Sequence, residues 1–362
     1  KLKAVSFRGT QDIPIADKAG TKAITKKFLA DYKKSKGGDR FTLKIMGFLS
    51  KVIARTGLAV PASASVVREL YKKYGTPGLT VISGMTGDTP IKNWTGVGYT
   101  DFTYDKLQNI GGDKVISNQK KKYACQNCPL GCGGMLDIKK GRYAGTKGHK
   151  PEYEAWGAFG SMMLIDDYDA IVEMNEMCNR AGIDSISTGV TITFAVESFE
   201  KGLIDEKTTG GLKLGWSRAE EAIKLTEMII NREGFGDVLA DGVKIAAQKI
   251  GNGADAFAVH AGGQELPMHD SRLDAGYAIA YQCEPTPGRH TISCYMYPGL
   301  FGVETLFPEA KKMVKQGSSK VDKEVRGYTI GSFMMQLING CGLCEFGPMT
   351  GLLPIADYIN AI

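Results

Sequence analysis

Asp166-Asp167-Tyr168-Asp169-Ala170-Ile171-Val172-Glu173-Met174-Asn175-Glu176-Met177-Cys178-Asn179-Arg180-Ala181-Gly182 is the stretch that decides the fold class. Ala170, Ile171, Met174, Met177 and Cys178 share one face at helical spacing, and an acidic pair precedes them. Gly182 stands where a helix would stop in a left-handed turn. Ser185–Glu200 reads as a second helix, closed by Gly202. Ser217-Arg218-Ala219-Glu220 has the spacing of a capping box; Ile223, Leu225, Met228 and Ile229 follow it, and Gly234 ends the run. Asp237–Ile250 reads as one more helix, stopped by Gly251. Upstream, residues 11–75 read as helices with basic connectors, Gly75–Gly98 as loop, and 120–150 as a further loop rich in Lys, Cys and Gly. Strand-like character is confined to Leu2–Arg8. The expectation is a mainly α, multihelical fold with a little β at the N-terminus.

The chain has 362 residues, enough for one large or two ordinary domains with a sizeable core. Hydrophobic residues make up 43 % and charged residues 23 %, a globular composition that excludes a disordered chain. Eight Cys are too sparse for a disulfide-stapled secreted scaffold. No run of eighteen apolar residues occurs, so no membrane span is expected; nor is a signal peptide. The net charge of +6 hides an asymmetry. Residues 1–150 hold 28 Lys+Arg against 10 Asp+Glu, and residues 151–362 hold 17 against 29. The basic half is either a face for an anionic ligand or acidic partner, or a solvated Lys-rich surface. Nucleic acid is not expected as a partner, since aromatic residues do not interleave with the basic runs. Lys1 opens the chain, and Ile355–Ile362 end inside an uncapped apolar pattern, so a piece of a longer protein is expected.

Cys125-Gln126-Asn127-Cys128-Pro129-Leu130-Gly131-Cys132 is a C-x₂-C-x₃-C array in a Gly-rich, Lys-flanked loop. Close thiolates on such a loop can wrap one corner of a metal site, with glycines letting backbone N–H groups approach sulfur. A fourth ligand is required, and Cys344 in Gly340-Cys341-Gly342-Leu343-Cys344 is the best placed. An iron–sulfur cubane, a structural zinc and unligated thiols all remain open to this pattern, with the Cys-Pro-flanked triplet favouring the cubane. Cys178, on an apolar helix face, reads as core. An internal echo supports the pairing: Asn179-Arg180-Ala181-Gly182-Ile183-Asp184 matches Asn339-Gly340-Cys341-Gly342-Leu343-Cys344. Each alone is a helix end with a Gly stop; together they suggest two related loops facing one cofactor.

The triplet at 125–132, Pro151-Glu152-Tyr153-Glu154, the two six-residue loops and His269-Asp270-Ser271-Arg272 together resemble the aldehyde ferredoxin oxidoreductase family of tungsten-pterin enzymes. The resemblance covers essentially the whole chain and corresponds to the family's two helical domains. Its N-terminal β-rich domain and last C-terminal segment have no counterpart here. The resemblance implies one helical domain over 1–258, with the cysteine triplet and first pterin loop, and a second over 259–362, with the second loop and Cys344. It implies a 4Fe–4S cluster on Cys125, Cys128, Cys132 and Cys344. It further implies a tungsten (or molybdenum) bis-pterin held at Asn179, Gly182, Ile183 and Asp184 and at Asn339, Gly342 and Leu343. Family loops begin with Asp; both loops here begin with Asn, which accepts a hydrogen bond but supplies no charge.

By position, Glu154 and His290 resemble the family's catalytic pair. Glu154 would take a proton from attacking water, and His290 would stabilise the carbonyl oxygen of an aldehyde. The bland alternatives are a helix N-terminal charge for Glu154 and a surface residue for His290. His269, Asp270 and Arg272 read as a structural ion pair, or His269 as orienting the pocket. His149 and His260 read as bland. The aromatic and Met residues at 277–301 read as core or as pocket lining. The implied reaction oxidises aldehydes to carboxylic acids and passes electrons to ferredoxin or another electron-transfer subunit. Two alternatives stand beside it. One is reduction of an aromatic acyl-thioester ring, where Cys283 or Cys294 could approach the metal; the other is a cluster-bearing electron-transfer subunit without pterin. Free thiolates imply a reducing cytoplasm, and an oligomer is expected.

Overall fold

The structure is a computed structural model that describes residues 5–6, 8–11, 14–30, 64–125, 128–303, 307–351 and 357. Among the described residues from 64 onward, the longer helices are α1 (Ala64–Tyr74), α2 (Thr80–Thr86), α3 (Tyr153–Phe159), α4 (Tyr168–Ala181), α5 (Ser185–Glu200), α6 (Ala219–Asn231), α7 (Val243–Ile250), α8 (Ala275–Cys283), α9 (Pro308–Lys315) and α10 (Lys320–Gly340). The mainly α, multihelical expectation holds. None of these helices is long and apolar enough to cross a membrane.

Helix α4 forms as its sequence dictates. Asp167 is its N-cap, and its carboxylate accepts the N–H groups of Asp169 and Ala170. Ala170, Ile171, Met174, Met177 and Cys178 are all buried. Gly182 ends the helix at φ 65°, a conformation that costs most residues about 1–2 kcal/mol. Helix α5 follows at once, capped by Asp184, whose carboxylate accepts the Ile186 N–H.

Downstream the helices break differently from the sequence reading. The capping box at Ser217 does not form. Ser217 sits at φ 63° and ties to the distant 3₁₀ turn that precedes α4, its N–H donating to the Met163 carbonyl and its hydroxyl to that of Leu164, while Arg218 occupies the N-cap position. Arg232, not Gly234, takes the left-handed position that closes α6. The expected helix over Asp237–Ile250 is two, Phe235–Leu239 and α7, because Gly242 at φ 88° breaks it. Gly75–Gly98 is only partly loop, since a 3₁₀ turn at Thr76–Leu79 leads into α2.

Strand structure also lies elsewhere. Of Leu2–Arg8, residues 2–4 and 7 fall outside the described residues, and Val5, Ser6 and Arg8 carry no strand. The supposed loop at 120–150 contains an antiparallel sheet in the order β1 (Gln119–Tyr123), β2 (Gly133–Asp137), β3 (Lys147–His149). Gly133 reads as loop in sequence, but in β2 it is the place where the Tyr123 ring of β1 lies across the strand and leaves no room for a Cβ. A two-stranded ribbon, β4 (His260–Ala261) and β5 (Gln264–Glu265), completes the β content of the described residues. The uncapped C-terminal pattern at 355–362 lies outside the described residues apart from Asp357.

The side chains bury into two main cores. The larger is built around Trp156, Phe159, Met162, Ile171, Met174, Phe194 and Leu225, where α3 packs on α5 and α4 on α6. The second gathers Tyr71, Tyr277, Tyr281, Cys294, Tyr297 and Phe301 with Met334, Met335 and Ile338 of α10. Cys128, Cys132 and Leu343 pack against the second core. Replacing the α4 cap, Asp167→Ala, is expected to destabilise the protein by about 1 kcal/mol, read as a lowered urea midpoint; an unchanged midpoint would show the cap to be dispensable.

Candidate functional site

Four segments remote in sequence bring ionisable side chains to one buried place. Asp88 follows α2, its N–H bonded to the Ser83 carbonyl. Glu154 sits in the first turn of α3. His269 follows β5, and the Asp270 N–H donates to the Asp88 carbonyl at 2.6 Å. His290 lies in the loop after α8.

Glu154 Oε2 accepts the Met268 N–H at 2.8 Å. Its Oε1 is buried without a hydrogen-bond partner and lies 3.5 Å from Nε2 of both His269 and His290. On its far side, His269 Nδ1 donates to the Asp88 carboxylate at 3.0 Å. The His269 ring stacks on Tyr277 at 5.1 Å and is tilted against His290 at 5.0 Å. Three tyrosine hydroxyls fix the backbone around these groups: Tyr153 donates to the Met268 carbonyl, Tyr281 to that of His269 and Tyr297 to that of His290. The aromatic residues at 277–301 are therefore core and pocket scaffold together.

The electrostatics separate the two imidazoles. Burial opposes charge on His269, but Asp88, by attraction and by its hydrogen bond, together with Glu154 and Glu345, overrides it and pushes the imidazole up to about 9. His290 has burial, His269 and Arg289 all working against its charge, and is held well below the ordinary range. Burial raises Glu154, with His269 and the Met268 N–H opposing. The set is thus one imidazolium, one neutral imidazole and a carboxyl between them, the kind of divergence that marks acid–base sites. The ligand atoms of Glu154, His269 and His290 lie within 4.8 Å of one another, close enough to hold an ion. An imidazolium bound through Nδ1 to Asp88 offers no lone pair to one.

Cys344 comes near the cysteine triplet on the side where Glu345 acts on this pocket. Cys128 donates its N–H to the Cys125 carbonyl at 3.0 Å. Burial, then the charges of Glu152, Cys128 and Cys344, push the Cys132 thiol up to about 11. Cys344 is raised by burial, against the Phe346 N–H, and by Glu345, Cys128 and Cys125. The structure therefore brings Cys344 into the electrostatic neighbourhood of the triplet. Thiols that raise one another's pKa in this way suit a cationic centre that would deprotonate them, so the donor set fits an iron–sulfur cluster. Cys178 and Cys294 are buried and Cys283 is exposed.

The two loops match in detail. Gly182 and Gly342 sit at φ 65° and 66°. The Gly182 and Gly342 N–H groups donate to the Asn179 and Asn339 carbonyls; the Ile183 and Leu343 N–H groups reach the Cys178 and Ile338 carbonyls. At the sixth position, Asp184 accepts the N–H of Ile186 and Cys344 that of Phe346. Both loops border the pocket, since Asp184 acts on Glu154 and Glu345 on His269.

His269 pairs with Asp88, whereas Asp270 pairs with Arg272 at 2.6 Å, so the structural ion pair and the orienting histidine both exist on different partners. His149 contacts Tyr123 on the small sheet, and His260 bonds the Gly263 N–H of its own ribbon. Sequence reasoning missed Asp88, Lys150 and Glu345. Asp88 follows a Gly in a Gly-Asp-Thr-Pro turn and Glu345 adjoins Cys344, but only the folded chain puts them beside the pocket.

Fold and site define a class: a mainly helical protein that sets a thiol loop and two matched helix-end loops around a buried carboxylate–imidazole pocket. The chain belongs to the aldehyde ferredoxin oxidoreductase family, whose model for "Aldehyde ferredoxin oxidoreductase, domains 2 & 3" matches residues 53–362. It is similar to the tungsten-containing aldehyde ferredoxin oxidoreductase of Pyrococcus furiosus, 30% identical over 99% of this chain and 52% of the relative. It is also similar to an aliphatic sulfonate oxidoreductase, WOR-like subunit, of Pyrococcus furiosus, 30% identical over 81% of this chain and 43% of the relative. A solved active site complex BamBC of benzoyl coenzyme A reductase with 1,5 dienoyl-CoA aligns over 71% of this chain and 37% of its own at a TM-score of 0.48 and 20% identity. The chain spans about half the length of the curated relatives it matches.

A raised histidine stabilises the fold fully below pH 6.5, and the contribution is lost as pH rises through about 9. Over that window the slope from one proton is about 1.4 kcal/mol per pH unit. Asp88→Asn is expected to flatten the decline of stability with pH, read from urea midpoints at pH 6.5, 7.5 and 8.5. Parallel declines in variant and wild type would separate Asp88 from the His269 charge.

Proposed function

We propose that this chain is the helical part of a tungsten (or molybdenum) bis-pterin oxidoreductase that oxidises aldehydes to carboxylic acids and delivers the electrons through a 4Fe–4S cluster to ferredoxin or another electron-transfer subunit. The observation that carries the reading is the approach of Cys344 to the cysteine triplet while its neighbour Glu345 acts on His269 in the Glu154–His269–His290 pocket, bordered by two loops with matching hydrogen bonds. The metal–pterin group, when bound, supplies the two-electron sink.

The protein's own residues supply the rest. Glu154 takes the proton of the attacking water at Oε1, the oxygen that has no hydrogen-bond partner. Burial brings its pKa toward the working range of a base. His290, neutral, donates a hydrogen bond to the substrate carbonyl oxygen as charge develops there. His269 stays charged on Asp88 and holds Glu154 in line. Asn179, Gly182, Ile183 and Asp184, with Asn339, Gly342 and Leu343, meet the two pterins, and Cys125, Cys128, Cys132 and Cys344 hold the cluster. An acidic electron-transfer partner sits best against the exposed Lys121 of β1, beside the triplet; Lys122 already donates to the Lys72 carbonyl, and Lys140 and Arg142 are paired with Asp169 and with Glu173 and Glu227. A reducing cytoplasm suits such a cluster, and the boundary between the two domains is placed at 258/259.

Metal analysis of the full-length protein is expected to give tungsten or molybdenum with about four iron per chain. Iron alone would support a cluster-bearing electron-transfer subunit instead, and zinc alone would sink both. Turnover of aldehydes rather than aryl-thioesters separates aldehyde oxidation from ring reduction. Cys128→Ser should lose the visible absorbance of the cluster; unchanged iron would remove Cys128 from the ligand set. Glu154→Gln should lower aldehyde turnover about a hundred- to ten-thousandfold with metals retained; near-normal turnover would take Glu154 out of the chemistry.

A further inference from the structure

The segment Lys150-Pro151-Glu152-Tyr153-Glu154 joins the thiol loop to the pocket. Glu154, at one end, enters the pocket. Lys150, at the other, is 3 % exposed. Its ammonium donates to the Cys132 carbonyl at 2.6 Å and to the Tyr74 carbonyl at 2.7 Å. Its backbone N–H donates to the Gly134 carbonyl. Gly75, at φ 73°, makes the space: a Cβ there would lie 2.5 Å from both the Cys132 oxygen and Lys150 Nζ. The turn after α1 is glycine because an ammonium fills the position a side chain would take.

Lysine is almost never fully buried without a partner charge. Among the described residues, the ion pairs include no carboxylate within 4.0 Å of Lys150. The nearby Glu152 carboxylate accepts from Thr76 and acts on the ammonium only through space. The ammonium is bonded to the backbone carbonyl of Cys132 itself, so any charge on that residue's thiol acts on it as well. Four thiolates leave a 4Fe–4S cluster net negative, and one added electron makes it more so. Net charge around such a cluster is one of the levers that set its potential.

We propose that Lys150 is a fixed positive charge that stabilises the reduced form of the cluster on Cys125, Cys128, Cys132 and Cys344. The inference rests on the four-cysteine reading above. The couple is one electron onto the oxidised cluster with no proton moved, and the buried cation lowers the energy of the more negative partner. Its place at the head of the segment that carries Glu154 sets the tuning charge on the stretch of chain that joins the thiol loop to the pocket.

The test compares full-length wild type, Lys150→Gln and Lys150→Met by iron content, circular dichroism and a potentiometric titration followed by electron paramagnetic resonance. Gln keeps an amide donor without charge; Met keeps bulk without either. Both variants are expected to lower the ratio of reduced to oxidised cluster at a fixed applied potential at least tenfold, about 59 mV for a one-electron couple. The resonance reads only cluster-bearing molecules, so partial iron loss leaves the comparison intact. Wild-type potential in Lys150→Gln overturns the proposal, whether or not Lys150→Met loses its cluster. Complete loss of iron in both folded variants also overturns it, since Lys150 would then be needed for assembly rather than tuning. Wild type without iron defeats the four-cysteine reading first, and this proposal with it.

Discussion

A carboxylate buried between two imidazoles survives only if the charges around it close. Glu154 is that group, and the rest of the site depends on its balance. Two like imidazoliums at 3.5 Å from one oxygen would repel each other, and two neutral imidazoles would leave the carboxylate uncompensated in a poorly solvated place. The protein breaks the symmetry with Asp88. A second carboxylate behind His269 makes that ring the cation, and burial together with that cation keeps His290 neutral. One residue after a short helix thus decides which histidine carries charge and which can act as a neutral donor.

The fold exists to hold those groups still. Asp88, Glu154, His269 and His290 come from three connections and one helix start, and each is fixed by backbone bonds and not by side-chain packing alone. Asp88 and Asp270 are joined main chain to main chain, Glu154 to the Met268 N–H, and Tyr153, Tyr281 and Tyr297 to the carbonyls of Met268, His269 and His290. The tyrosines also belong to the packed interior, so rigidity of the pocket derives from the core beneath it. The two helix-end loops reach the same place from α4 and α10. One ends in a carboxylate and the other in a thiol, each accepting the N–H two residues on, so a single backbone design presents an acid on one side and a metal ligand on the other.

Much of this was legible in the sequence, and the exceptions have physical causes. Helix α4 reads correctly because periodicity, an N-cap Asp and a C-terminal Gly all agree. The Ser217 box fails because tertiary bonds to the Met163 and Leu164 carbonyls outbid a local cap. The small sheet was missed because Gly133 lacks the side chain that strand patterns are read from; the Tyr123 ring of the neighbouring strand occupies its place. Glu154, His290 and the four cysteines stand out as residue types in motifs. Asp88 and Lys150 do not, since an acid after Gly87 and one lysine in a lysine-rich half are unremarkable until folding buries them.

The charge asymmetry between the two halves of the chain has a structural meaning that the totals conceal. Much of it is internal complementarity. Arg142 bridges Glu173 and Glu227, Lys140 meets Asp169, and Lys92 meets Glu200, each joining the basic half to the acidic one. The bidentate Arg142 contact to Glu227 at 2.7 and 2.9 Å fastens the end of the small sheet to α6. Some of what these pairs leave over lies beside the thiols: Lys121 exposed on β1, and Lys150 buried against the Cys132 carbonyl. These two charges stand at the thiol loop, the exposed one toward a docking partner and the buried one against the cysteine backbone, where an electron-carrying centre of negative charge would gain from both.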